Sequence, residues 1–146
     1  MTPAEHPLPR AEICLTIPFH DVDMMQIVWH GHYVRYLEIA RCALLDELDY
    51  NYNQMRDSGF GWPVIDMRLR YAAPAVFTQQ IAIEARLSEW ENRLKIDYTI
   101  RDAETRKRLN RAWTVQVAVG VEDREMRFES PAVLREKIAA WQQRNS

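Results

Sequence analysis

The chain has 146 residues, 47% of them hydrophobic, 10% aromatic and 27% charged; this is the make-up of one folded domain and is too apolar for a disordered chain. Nineteen Lys and Arg against 21 Asp and Glu leave a formal charge of −2, which argues against nucleic-acid binding driven by overall charge. No run reaches the roughly 18 apolar residues that a membrane-spanning helix needs.

The first ten residues, MTPAEHPLPR, are polar and proline-rich, lack the apolar stretch of a signal peptide, and read as a flexible arm ahead of a single domain over 11–146. From Ala11 the apolar residues Ile13, Leu15, Ile17 and Phe19 recur with a period of two, the mark of a half-buried strand. The alternation breaks between His20 and Trp29. Val34, Leu37, Arg41, Leu44, Leu45 and Leu48 then fall at steps of three and four, which predicts one face of a helix over about 31–49, with Arg41 its only charged member. Ala40 and Ala43 beside that face would let a sheet approach closely.

Asn51, Asn53, Gly59 and Gly61 punctuate a short helical turn and a loop. Four alternating segments follow, carrying Ile65 to Tyr71, Ile81 to Leu87, Leu94 to Ile100, and Trp113 to Val121 as their apolar faces. Strands apolar on one face only predict an antiparallel sheet with one side on a core. Ser130 and Pro131 read as an N-cap and first-turn proline, opening a short C-terminal helix that carries Leu134, Ile138 and Trp141. The expected architecture is α+β, a curved five-stranded antiparallel sheet wrapped around one long central helix.

Reactive side chains are densest at His20, Asp21 and Asp23, with His30 and His32 close behind, in the join between first strand and helix. Free backbone N–H groups at a helix start can polarise a carbonyl oxygen, and a nearby carboxylate can attack that carbonyl or activate water. Asp21 reads equally well as a cap or turn residue, whereas several residues separate Asp23 from the helix start. His30 and His32, two apart, would not share a helix face, and no zinc-binding motif is present, so no metal is expected. Cys14 and Cys42 read as packing residues, and their small number fits a reducing, cytoplasmic setting. Arg68, Arg70 and the cluster Arg101 to Arg111 suit either a solvated surface or the phosphates of a ligand.

The segment from Phe19 to Arg41, FHDVDMMQIVWHGHYVRYLEIAR, resembles the signature of hotdog-fold acyl-CoA thioesterases, in particular the 4-hydroxybenzoyl-CoA thioesterase and YbgC-like branch. Tyr71-Ala-Ala-Pro74-Ala75 is similar to a second element of that family, and the likeness extends over about residues 12–122. The resemblance implies thioester hydrolysis with Asp23 as the catalytic carboxylate and a backbone N–H at about His30 against the thioester carbonyl. It also matches the His30 side chain and Tyr33 to family residues, and puts Met24, Met25 and Trp29 at the pocket mouth. Arg68 and Arg70 are expected on the phosphates of the substrate's coenzyme A, with no other cofactor. The implied substrate is an acyl-CoA or acyl carrier protein thioester, and the implied assembly a homodimer or homotetramer. A hydratase or dehydratase of acyl thioesters and a non-catalytic binding module are the alternatives. The family loop carries glycine two or three residues after the catalytic Asp; Met25 and Gln26 stand there instead, so a positive φ would be strained and the pocket mouth altered.

Overall fold

A computed structural model describes residues 7–146. Five strands form one antiparallel sheet: β1 (Arg10–Thr16), β3 (Val64–Tyr71), β4 (Gln80–Glu89), β5 (Leu94–Asp102) and β6 (Arg108–Gln116), in the spatial order β1-β4-β5-β6-β3. Between β1 and β3 the chain forms the long helix α1 (His32–Glu47) and the short helix α2 (Tyr52–Asp57). A two-residue strand β2 (Phe60–Gly61) pairs with β7 (Val119–Gly120), and α3 (Ala132–Arg144) ends the chain. One long helix against an antiparallel sheet is the hotdog arrangement.

Register fixes which side chains meet, because residues directly opposite in an antiparallel pair share a face. Ile83, Ile100, Asn110 and Tyr71 form one row across four strands, and Ala85, Tyr98, Ala112 and Leu69 the next. Ile81, Ile83, Ala85, Leu94, Ile96, Tyr98 and Ile100 are buried with Tyr36, Leu37, Ala40 and Leu44 of α1 in a single core. Ala40 is fully buried, as expected where helix and sheet come close. The alternate rows, such as Arg86, Asp97, Trp113 and Arg68, face away from the helix.

Several expectations shift. Residues 1–6 of the expected arm lie outside the described residues. Within 7–10, the Pro7 carbonyl accepts from Gln142 Nε2, the Pro9 carbonyl from the Leu87 N–H, and Arg10 already pairs with Arg86. The first strand stops at Thr16, because Pro18 offers no N–H to continue the ladder; Phe19 opens a 3₁₀ turn (Phe19–Asp21) and is 73% exposed. The buried stripe of α1 runs through Tyr33, Tyr36, Leu37, Ala40 and Leu44, rotated from the expected one, so that Val34 and Arg41 sit at its margin.

The last strand is inverted. Asn110, Ala112, Thr114 and Gln116 face the helix, not Trp113 and Val115. Hydrogen bonds satisfy two of these side chains, Thr114 Oγ1 meeting the Tyr98 hydroxyl at 2.8 Å and Gln116 Nε2 donating to the Trp62 carbonyl at 2.7 Å, while the buried Asn110 amide finds no partner among the described residues. Val119 belongs to β7, while Val121 lies beyond it and is exposed. At α3 the N-cap is Pro131, and Ser130 makes no side-chain cap bond.

Candidate active site

The chain leaving the 3₁₀ turn folds back on itself as a narrow hairpin. Trp29 N–H donates to the Asp21 carbonyl, Val22 bridges Val28, and Asp23 N–H donates to the Ile27 carbonyl. The hairpin is pinned to the turn after β3 by Val28 N–H to the Ala75 carbonyl and Phe77 N–H to the Gln26 carbonyl, each of these two bonds being near 3 Å. Its tip carries Asp23, Met24, Met25 and Gln26, all exposed. Gln26 has φ +62°, so this chain adopts the left-handed conformation with glutamine where glycine was expected. The Gln26 carbonyl and N–H are both engaged in backbone hydrogen bonds.

The two aspartates have opposite surroundings. Asp21 is 1% exposed: its Oδ2 accepts from the Tyr36 hydroxyl at 2.6 Å and from Arg35 Nη2 at 2.5 Å, both in the first turn and a half of α1. Burial opposes its ionisation, but the Arg35 and Tyr36 hydrogen bonds and the Arg35 charge together hold its carboxyl below the usual range. Burial first, then the bond to Asp21, push the Tyr36 hydroxyl up. Asp21 thus ties the 3₁₀ turn to the helix and is a positioning group.

Asp23 lies two hairpin rungs further out, about 7 Å along the strand. Its Oδ1 accepts from Met25 N–H at 2.8 Å, which fixes the carboxylate, and it is in no ion pair among the described residues. Directly after the hairpin, His32 N–H donates to the Trp29 carbonyl and Gly31 caps α1 without a side-chain bond. Trp29 lies over Gly31: a Cβ there would stand 2.2 Å from the indole. The indole is also 5.0 Å from the His30 ring and 5.4 Å from the His32 ring. One short hairpin thus carries an exposed carboxylate at its tip and, at its base, an aromatic ring and a helix start without a side-chain cap. That combination can present an anionic oxygen and N–H donors to one carbonyl.

The other expected residues are distributed differently. Met24 is 98% exposed and Met25 also stands in solvent. Tyr33 is buried; its hydroxyl accepts from Ala75 N–H at 3.0 Å, so in the single chain it supports the turn under the hairpin. Arg68 and Arg70 point to the outer face of the sheet, with Arg86, Lys95 and Arg111, and are not brought together with Asp23. Tyr71, next to Arg70 on β3 but on its opposite face, donates its hydroxyl to the His30 carbonyl at 3.2 Å. Arg35 and Tyr36 went unread in the sequence; their signal is an Arg-Tyr pair one turn into a helix that follows an aspartate-bearing turn.

A family model described as the thioesterase-like superfamily matches residues 17–142, which spans the hairpin, the helix and the whole sheet except β1. The chain belongs to the thioesterase-like superfamily. Among solved structures, a 1,4-dihydroxy-2-naphthoyl-CoA thioesterase from Synechocystis superposes with a TM-score of 0.78 at 19% identity, covering 89% of this chain and 96% of that one. A 4-hydroxybenzoyl CoA thioesterase variant complexed with 4-hydroxybenzoyl CoA gives 0.77 at 19% identity, covering 89% and 99%. At such identities the likeness is one of fold. In sequence, YneP of Bacillus subtilis, whose name assigns it provisionally as an acyl-CoA thioesterase, is 25% identical over 76 residues, 52% of this chain and 55% of that protein. The chain thus spans about half the length of the curated relatives it matches. No helix among the described residues is long and apolar enough to cross a membrane.

Proposed function

We propose that this member of the superfamily hydrolyses acyl-CoA thioesters, with Asp23 as the carboxylate that attacks the acyl carbonyl or delivers water to it. Water adds to the acyl carbon, the C–S bond breaks, and coenzyme A leaves as a thiolate. A thiol pKa of about 8.5 makes that departure easy without a strong general acid. The backbone N–H at about His30, at the start of α1, is the group assigned to the carbonyl oxygen. One observation carries the reading: of the two loop aspartates, Asp21 is consumed by Arg35 and Tyr36, and Asp23 stands open with its carboxylate oriented by Met25 N–H. The left-handed Gln26 gives the hairpin tip beside Asp23 a defined turn without glycine, which supports the catalytic reading over a binding module.

Met24, Met25 and Trp29 line the approach to Asp23, and the acidic tail of the substrate is assigned to Arg68 and Arg70. Arg70 adjoins Tyr71, so the cationic outer face begins where the substrate would round the end of β3. The same cations suit the phosphopantetheine phosphate of an acyl carrier protein. The hydroxyaryl-CoA esters named for the structural neighbours head the substrate panel. The protein is read as a homodimer or a tetramer of such dimers, joined at the free edge of β3, and as cytoplasmic, with both thiols free.

Release of free thiol from a panel of acyl-CoA and acyl carrier protein thioesters tests this. At least one ester should turn over, and Asp23→Asn should lower kcat at least 100-fold, within the 10² to 10⁴ typical of a lost acid-base group. Undiminished turnover in that variant removes Asp23 from its role. Product masses gaining water without thiol release would identify a hydratase instead.

A further inference from the structure

The turn that opens α1 leaves two amide groups bare. His32 N–H closes it on the Trp29 carbonyl at 2.9 Å, while His30 N–H and Gly31 N–H, inside the turn, find no acceptor among the described residues. Gly31 has helical angles, φ −69° and ψ −21°, so both belong to the unpaired N–H groups of a helix start, which point ahead of it.

The other side of this turn is held from β3. His30 C=O and Gly31 N–H form one trans peptide, so a group that fixes the carbonyl also fixes the N–H, which points the opposite way. Tyr71, the last residue of β3, donates its hydroxyl to that carbonyl at 3.2 Å. The backbone beneath Tyr71 is firm: it pairs with Asn110, and Ala72 N–H and Ala73 N–H just beyond both donate to the Leu109 carbonyl. Its ring stands edge-on to buried Tyr33, centroids 5.3 Å apart, and Tyr33 is itself pinned by Ala75 N–H. Yet Tyr71 is 51% exposed, so core packing does not account for a phenol here. Its hydroxyl has the His30 carbonyl as its one partner among the described residues.

We propose that Tyr71 is a positioning residue for thioester hydrolysis, acting through the 30–31 peptide so that Gly31 N–H joins His30 N–H as a second donor to the acyl carbonyl oxygen. The inference rests on the hydrolytic reading above and adds to it a residue from a different element. Two effects combine. The hydroxyl keeps the peptide from rotating, so the donor needs no reorientation as negative charge builds on the oxygen. It also draws electron density toward the carbonyl, and hydrogen bonds linked through one peptide strengthen each other.

Gly31 is the only glycine that follows a histidine, so ¹³C-carbonyl histidine combined with ¹⁵N-glycine singles out this peptide. In Tyr71→Phe the His30 carbonyl carbon should move upfield, as the loss of its hydrogen bond requires. With an acyl-CoA that the unmodified protein turns over, Tyr71→Phe should lower kcat about tenfold at a KM within about twofold, short of the roughly 10²–10³ of a lost direct donor. In the unmodified protein, the ketone analogue of that ester, with CH₂ in place of sulfur, should move the Gly31 amide proton downfield. This last result needs no variant to fold. An unmoved His30 carbonyl, full turnover in Tyr71→Phe, or a Gly31 proton indifferent to the ketone overturns the assignment. A rise in KM at unchanged kcat does so too, as the mark of a loosened fold. Absence of turnover with every ester is the distinct result that removes the hydrolytic reading, and this proposal with it.

Discussion

At Asp21, two of the hydrogen bonds that fix the 3₁₀ turn against the helix converge on one carboxylate oxygen. The folded carboxyl is held below its unfolded value of about 3.9. Its contribution is therefore complete above pH ~4 and is lost as pH falls through the lower folded value. Stability measured by urea unfolding should fall on acidification below pH ~4, and Asp21→Asn should flatten that fall while lowering stability at pH 7 by about 1–3 kcal/mol. A stability-pH curve identical in the two proteins would contradict the network. Gln26 offers a second residue-scale test. At φ +62° a β-branched side chain is strained further, so Gln26→Val should lower stability by about 1–2 kcal/mol, and Gln26→Gly should not. A thermal melt of both variants decides this.

Among the elements, α3 shows how a helix with little amphipathic pattern is fixed by a few contacts. Leu134, Ile138 and Trp141 are buried in the common core, and Trp141 Nε1 donates to Glu47 Oε2 at 3.2 Å. Arg144 donates to the Glu47 carbonyl at 3.0 Å, adding a cation at the C-terminus of α1 where the helix dipole favours one. Leu134→Ala should therefore lower global stability by about 2–5 kcal/mol, read as one cooperative transition; a separate early melt of α3 would show that it is not integral to the core. Strand periodicity located β4 and β5 well because their apolar face meets α1. It misjudged β6, where Tyr98 and the Trp62 carbonyl supply partners that let Thr114 and Gln116 turn inward. Hydropathy does not register such partners, since they come from other strands and loops.

For the whole molecule, the sheet ends at β3, an unpaired edge with Val64, Ile65 and Tyr71 exposed. Bare edges with apolar side chains invite pairing with another chain. If that edge joins two copies, Ile65→Lys should shift the protein toward monomer in light scattering and reduce turnover in step with dissociation. A variant of unchanged mass and activity would move the interface elsewhere. The outer face, by contrast, collects Arg68, Arg70, Arg86, Lys95 and Arg111 around Asp97, a charge pattern that repels a second copy of itself.

The sequence by itself determined the order of the main elements, the one-sided sheet, the long helix that fills it and the carboxylate-rich break between first strand and helix. These follow from local periodicity, from its break between His20 and Trp29, and from the glycine- and asparagine-punctuated loop after the helix. Only tertiary structure set the surroundings of Asp21 and Asp23 apart, because Arg35 and Tyr36 come from the next element and claim one of two similar carboxylates. It also decided that Arg68 and Arg70 face away from the helix and that the Tyr71 hydroxyl meets the His30 carbonyl. A period of two defines two faces of a strand, but which face turns inward, and what it meets there, depends on packing against residues far away in the chain.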